Sequence, residues 1–214
     1  MKIGISCYAT EGGSGIIATE LGRQLAKRGH EVHFITSSLP VRLRHFEKNI
    51  YFHEVRPESY PVFQSPPYSL SLSAKMAEVA EAYRLDVLHA HYAMPHAASA
   101  YLAKQMLRKR RIKTVTTLHG TDITLVGQAP SFHAVTKFSI EESDCVTTVS
   151  RWLAEETRRI FRIERPIEVI HNFIDLEAFR PRESQVRRSE FAAAGEKLLM
   201  HVSNFRPVKN IPTV

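Results

Sequence analysis

The chain has little of what would tie it to a disulfide scaffold, a membrane or a metal centre. Only two of its 214 residues are cysteines, Cys7 and Cys145. They lack a C-x-x-C spacing and both sit in strand-like runs, so free, buried thiols are expected rather than a disulfide or a metal site. No apolar run approaches the roughly 20 residues needed to cross a bilayer. The N-terminus enters the strand-like stretch Lys2–Tyr8 too promptly for a secretory signal. Stable membrane insertion is therefore not expected, and a cytoplasmic protein is. There is no internal repeat, no low-complexity segment and no G-x-S-x-G elbow, which sets aside solenoids, disordered tails and the Ser/His/Asp hydrolases.

Acidic residues are also in the minority: 22 Asp and Glu face 29 Lys and Arg, a net charge of +7. The basic residues are scattered, and the one dense run, Arg108–Arg111, falls at a helix end where cations complement the dipole. Nucleic acid is therefore not the expected partner. A smaller anion, such as a nucleotide sugar or a carboxylate, suits a moderately basic cleft better. With 43% hydrophobic and 24% charged residues the composition is that of a globular protein with a core.

The hydrophobic pattern alternates between strands and helices. Strands are expected at Lys2–Tyr8, Glu31–Thr36, Ile50–Val55, Asp86–His91, Ile112–Thr117, Asp144–Val149 and Ile167–Ile170. Between them lie helices from Ser14, as N-cap, to Arg28, then Ser71–Tyr83, Ala97–Lys109, Ser131–Glu142 and Arg151–Phe161. The strands are apolar on both faces, which predicts an α/β protein with a doubly wound parallel sheet. After Phe179-Arg180-Pro181 the texture changes. Lys197–Val202 reads as one more strand, and Ser203–Asn210 as a basic loop, the opening of a second α/β domain. The expected division is residues 1–165, a connection over 166–195, and the start of a truncated second domain over 196–214.

The chemistry gathers where strands end. Thr116–Asp122 is the central case, since a His, a Gly and an Asp at the carboxyl end of a parallel strand mark the edge where open α/β sheets bind ligands. His119 there is either an imidazole at a pocket rim, with Asp122 setting its tautomer, or a packed loop residue with Asp122 as a cap. Glu11–Gly15, with Ser14 and Gly15 at a helix start, is either a cradle for phosphate or carboxylate or a plain tight turn. His89 and His91 share a face two residues apart, with His96 nearby. They read as fillers rather than metal ligands, because no Cys or Asp completes a set; Tyr92 is the better ligand contact. Ser150 either binds an anion or caps a helix. Arg206 and Lys209 flank a turn and are either paired cations for a diphosphate or a solvated loop.

Taken together, Gly12–Gly15, His119-Gly120-Thr121-Asp122, Thr147–Ser150, His171–Asp175 with Phe179 and Pro181, and Phe205–Lys209 are more specific than any one of them. In this order and spacing the chain resembles the family-four retaining glycosyltransferases of GT-B architecture, over essentially all 214 residues. Gly29–Ser37, Asn49–Val55, Lys75–Ala80, His91–His96, Tyr101–Met106 and Thr116–Thr124 are similar to the members that open bacillithiol biosynthesis.

The resemblance implies a Rossmann-like N-terminal half of a GT-B enzyme. It also implies transfer of N-acetylglucosamine from UDP-GlcNAc to the hydroxyl of L-malate, with retention and with no essential metal or other cofactor. Carried over residue by residue, Ser14 and Gly15 lie near the diphosphate and acceptor. Tyr92, Thr117 and His119 line the acceptor and sugar pocket, which Thr148 and Ser150 border, while Arg206 and Lys209 neutralise the leaving diphosphate. Asn204 stands where many relatives carry an arginine. The family's Glu-containing donor motif is not in the 214 residues, so the chain alone is expected to be inactive. A homo-oligomer is compatible with the sequence. A transferase with a different sugar or lipid acceptor, a non-catalytic half that pairs with a separate chain, and a GT-B-like epimerase are the other readings.

Overall fold

In the computed structural model the residues described are 1–214 except 11, 44, 109, 181–186, 204, 206–208 and 214. They form two compact units, Met1–Asn172 and Phe173–Val214.

The first unit is a seven-stranded sheet, β1 (Lys2–Ser6), β2 (Glu31–Thr36), β3 (Ile50–Glu54), β4 (Val87–His91), β5 (Lys113–Leu118), β6 (Cys145–Thr148) and β7 (Glu168–Val169), in the order β3-β2-β1-β4-β5-β6-β7. Every pairing is parallel. The helices are α1 (Gly13–Lys27), α2 (Tyr68–Tyr83), α3 (Ala98–Met106), α4 (Thr121–Thr124), α5 (Pro130–Glu141) and α6 (Arg151–Phe161). The doubly wound parallel sheet expected from the alternation is present. β7 pairs with β6 and belongs to the first unit, whereas the sequence reading placed residues 166–172 in a connection.

Both faces of the central sheet are covered, which is why β1 and β2 bury nearly every residue. On one side Ile3, Ile5, Val32 and Phe34 pack with Ala18 and Ala26 of α1. Gly22 of α1 lies so close to Phe34 that a Cβ there would sit 2.4 Å from the ring. A second cluster joins Ile35, Leu88 and Ala90 to Leu72, Met76 and Val79 of α2 and Ala100 and Ala103 of α3. A third closes Leu118 and Val146 with Ile140 of α5 and Leu153 and Phe161 of α6.

Helix ends differ from expectation at two places. α1 starts two residues earlier than Ser14 as N-cap requires; Gly12 is the N-cap and Ser14 lies in the first turn. The chain leaves α1 through Gly29 at φ +86°, a left-handed conformation suited to glycine. The cations of Arg108–Arg111 do not simply complement their own helix, which ends at Met106. Arg110 instead donates to the carbonyls of Ala80 and Leu85, at the end of α2 and the start of the β4 approach.

The second unit carries short 3-10 turns at Arg188–Glu190 and Ile211–Thr213. Lys197–Val202, expected as a strand, pairs with none of the described strands. Its apolar residues Leu199, Met200 and Val202 are exposed, and a strand without a hydrogen-bonded neighbour is not stable in water.

Candidate active site

β1 and β4 are adjacent in the sheet but separated by two strands in sequence, so the direction of winding reverses between them. Open α/β sheets bind ligands in the crevice at that point, beyond the carboxyl ends of the strands. The chain supplies Tyr8 and the loop into α1 from β1, and Tyr92 with the wide turn Ala93–Ala97 from β4.

These two segments are locked together. The Tyr8 ring lies edge-on to Tyr92 at 5.3 Å and to His96 at 4.7 Å. His96 is fully buried, with Nδ1 2.8 Å from Ser6 Oγ. Ser6 and Tyr8 escaped the sequence reading. Their position at the end of the first strand was the available signal. α1 begins immediately behind this pair. Its first intrahelical bond runs from the Ile16 N–H to the Gly12 carbonyl at 3.1 Å, so the amides of Gly13, Ser14 and Gly15 have no acceptor within the helix, the arrangement that suits a helix start to an anion. Gly15 has a further reason to be glycine: a Cβ there would stand 2.3 Å from the Tyr8 carbonyl oxygen. Arg42 was also missed. With Thr10, Gly15 and Thr19 it lines a small recess at the start of α1, and it pairs with Glu20 at 3.5 Å.

The end of β5 continues the wall. His89 and His91 stack at 4.5 Å, His91 and His119 at 5.1 Å, and Tyr92 and His119 at 5.7 Å. His91 Nδ1 and His119 Nε2 share a hydrogen bond of 2.9 Å. His89 Nε2 lies 2.7 Å from Thr117 Oγ1, which also meets Thr147 Oγ1 at 2.7 Å. Tyr92 bonds through its hydroxyl to Thr121. Burial holds these imidazoles neutral: His89 and His119 are pushed down to about 4 and His96 to about 3, while His91 lies well below the usual histidine range.

Asp122 does not touch the His119 ring. Its buried carboxylate accepts from the backbone N–H groups of Gly120 at 2.8 Å, His119 at 3.1 Å and Ala93 at 3.3 Å. Desolvation outweighs these three donors and raises its pKa to about 6. Asp122 neither bonds the His119 ring nor serves as the N-cap of α4, which is Gly120; it ties the His119-Gly120 turn to the start of the turn after β4.

Thr148 is fully buried and donates to the Ser150 carbonyl at 3.1 Å. Ser150 caps α6, its Oγ accepting from the Leu153 N–H at 3.2 Å. Tyr92, Thr117, His119, Thr148 and Ser150 thus come to one edge of the sheet, and Ser14 and Gly15 reach it through Tyr8. Lys209 is exposed and belongs to the second unit, and Arg206 lies outside the described residues. Cys7 and Cys145 are free thiols. Among the described residues no three His, Cys, Asp or Glu side chains converge as metal ligands, and no helix is long and apolar enough to cross a membrane.

The site is therefore a neutral wall of imidazole and phenol beside an amide-rich helix start, suited to a hydroxylated, anionic ligand. The chain is 54% identical to N-acetyl-alpha-D-glucosaminyl L-malate synthase of Bacillus anthracis, covering 100% of this chain and 56% of that protein. It is 28% identical to an uncharacterized glycosyltransferase of Methanocaldococcus jannaschii, covering 94% of this chain and 53% of the relative. The chain thus spans about half the length of the curated relatives it matches. Among solved structures, a glycosyltransferase from Rickettsia africae superposes with a TM-score of 0.65 at 20% identity, over 88% of this chain and 47% of that one. Anabaena HepE in complex with UDP-glucose gives 0.61 at 17% identity, over 85% and 46%. Residues 11–178 match the sequence model of Glycosyltransferase Family 4, and the chain belongs to that family.

Proposed function

We propose that this chain is the acceptor-binding half of a retaining glycosyltransferase that moves N-acetylglucosamine from UDP-GlcNAc to the hydroxyl of L-malate. The observation that carries the proposal is the 54% identity to the Bacillus anthracis N-acetyl-alpha-D-glucosaminyl L-malate synthase across this whole chain. The site geometry supports it. The helix-start amides of Gly13, Ser14 and Gly15 suit a carboxylate or a phosphate, with the Arg42–Glu20 pair beside them. In this reading Tyr92 and His119 contact the acceptor and the transferred sugar. Thr117, whose hydroxyl already meets His89 and Thr147, keeps one acceptor site for substrate. Thr148 and Ser150 shape the border from behind. Arg206 and Lys209 neutralise the leaving diphosphate, and neither a metal nor another cofactor takes part. Holding both substrates in line and stabilising the departing charge supply the rate.

Calorimetry on this chain tests the division of labour. L-malate binding without appreciable UDP-GlcNAc binding is the expected result; failure to bind malate refutes the assignment of the acceptor site. A transferase with a lipid acceptor is favoured by one observation only, the exposed Phe46, Tyr60, Val62 and Phe63 in the loops after β2 and β3. Sedimentation of the chain with anionic lipid vesicles would favour that acceptor class over malate.

A further inference from the structure

The hydrogen bond between His91 and His119 holds one proton, and two tautomer pairs could place it. If His119 donates from Nε2, His91 accepts at Nδ1 and must carry its own proton at Nε2. That nitrogen is sealed and has no partner among the described residues. The pair would then bury an N–H with no acceptor, a situation that folded proteins almost never tolerate. If His91 donates from Nδ1 instead, its sealed Nε2 is only a bare nitrogen. A free imidazole slightly prefers the Nε2–H form, but that preference is small beside an unmatched buried donor. In the second arrangement His119 accepts at Nε2 and carries its proton at Nδ1. That nitrogen is not among the sealed atoms and has no protein partner among the described residues.

We infer that His91 is a positioning residue: it fixes His119 as the Nδ1–H tautomer, so that His119 meets its ligand as a hydrogen-bond donor and has no lone pair free to take a proton. Asp122 cannot do this, since its oxygens are committed to backbone amides. The stack of His89, His91, His119 and Tyr92 holds the ring planes in place, and burial keeps the imidazoles uncharged, so the proton's position is set by the hydrogen bond alone. Two consequences follow. The ligand atom opposite His119 is an oxygen with a lone pair, as in a sugar hydroxyl, a carboxylate or a phosphate, and not an N–H group. His119 is also excluded as general base for the acceptor hydroxyl. The identity of the ligand rests on the function proposed above; the tautomer does not.

The test is a long-range proton–nitrogen correlation spectrum of the 15N-histidine-labelled chain near neutral pH, with His91 and His119 assigned from H91N and H119Q. The expected spectrum shows both as Nδ1–H tautomers. In H91N the asparagine amide stands where the His91 Nδ1–H stood and should keep His119 in the same form. In H91L, which has no donor, His119 should shift to a mixed or Nε2–H population. A wild-type His119 that carries its proton at Nε2, or is doubly protonated, overturns the inference, as does an H91L spectrum in which His119 is unchanged. If H91L does not fold, the wild-type and H91N spectra decide. Loss of malate binding with the tautomer intact would sink the proposed function and leave this inference standing.

Discussion

Lowering the pH from about 7 to about 4.5 should unfold this protein through its buried histidines. His89 and His119 sit at about 4 and His96 at about 3 in the folded chain, against an ordinary value of 6.5. The sign follows from which state binds the proton. Between 6.5 and 4 the unfolded chain takes up protons that the folded one refuses, so stability is complete above 6.5 and is lost as the pH falls through the folded values. A drop from 6.5 to about 4 corresponds to about 3 kcal/mol for each of His89 and His119, and the deeper drop at His96 to about 5 kcal/mol. Asp122 works the other way. Its carboxyl is raised from 3.8 to about 6, so the folded state holds that proton more tightly and regains about 3 kcal/mol on acidification over the same window. The histidines win, and their net effect of several kcal/mol rivals the whole stability of a typical domain, about 5–15 kcal/mol. Urea denaturation followed by far-ultraviolet circular dichroism at a series of pH values measures this directly. H119Q should flatten the dependence by about 3 kcal/mol. A denaturation midpoint that stays level between about pH 7 and pH 5, or an H119Q dependence as steep as wild type, refutes the neutral stack.

Three further substitutions follow from packing and hydrogen bonding. Arg165 donates to the carbonyls of Ile140, Glu141, Ser143 and Asp144 at the end of α5; R165A leaves them to water and should cost about 2–3 kcal/mol in chemical denaturation, and an unchanged midpoint would show that the cap contributes nothing. T117V removes the hydroxyl that joins His89 to Thr147 and should cost about 1–3 kcal/mol, with loss of malate binding in calorimetry if Thr117 also holds the acceptor. G22A places a methyl 2.4 Å from the Phe34 ring, so a loss of about 1–3 kcal/mol is expected, and a neutral result would mean that Phe34 has room to move.

The strands were legible because each is a short apolar run ended by a polar residue, and β2 matches its expected span, Glu31–Thr36, residue for residue. The errors share a physical origin in interactions that sequence spacing does not encode. Thr121–Thr124 forms a single helical turn entered through Gly120 at φ +126°. Four residues carry too little periodicity to be read. Lys197–Val202 has strand composition, but composition cannot supply the neighbouring strand that would make it one. Ser14 has the side chain of an N-cap, yet Gly12 takes that place, because the close approach of Gly15 to the Tyr8 carbonyl fixes where the first turn begins.

The same distinction governs the site. That His89, His91, Tyr92, Thr117 and His119 lie at strand ends was visible from the pattern, and the doubly wound order then forces those ends onto one edge. Which of them touch was not visible. Sequence distance made Asp122 the natural partner of His119, three residues away. The sheet register decides otherwise: His91 lies opposite Thr117, so the residue two past Thr117 comes alongside His91, while the turn at Gly120 carries Asp122 beneath the backbone. Among the described residues the β-strand wall is uncharged, and the Asp122 carboxylate beside it is engaged by amides. A diphosphate and a dicarboxylate could not be held by such a wall alone. In the proposed function the positive charge that these ligands require comes from outside this wall, beginning with the amides at the start of α1. That places substrate geometry on the imidazoles and substrate charge elsewhere. Under the proposed function, H119Q should therefore disturb turnover more than affinity for malate.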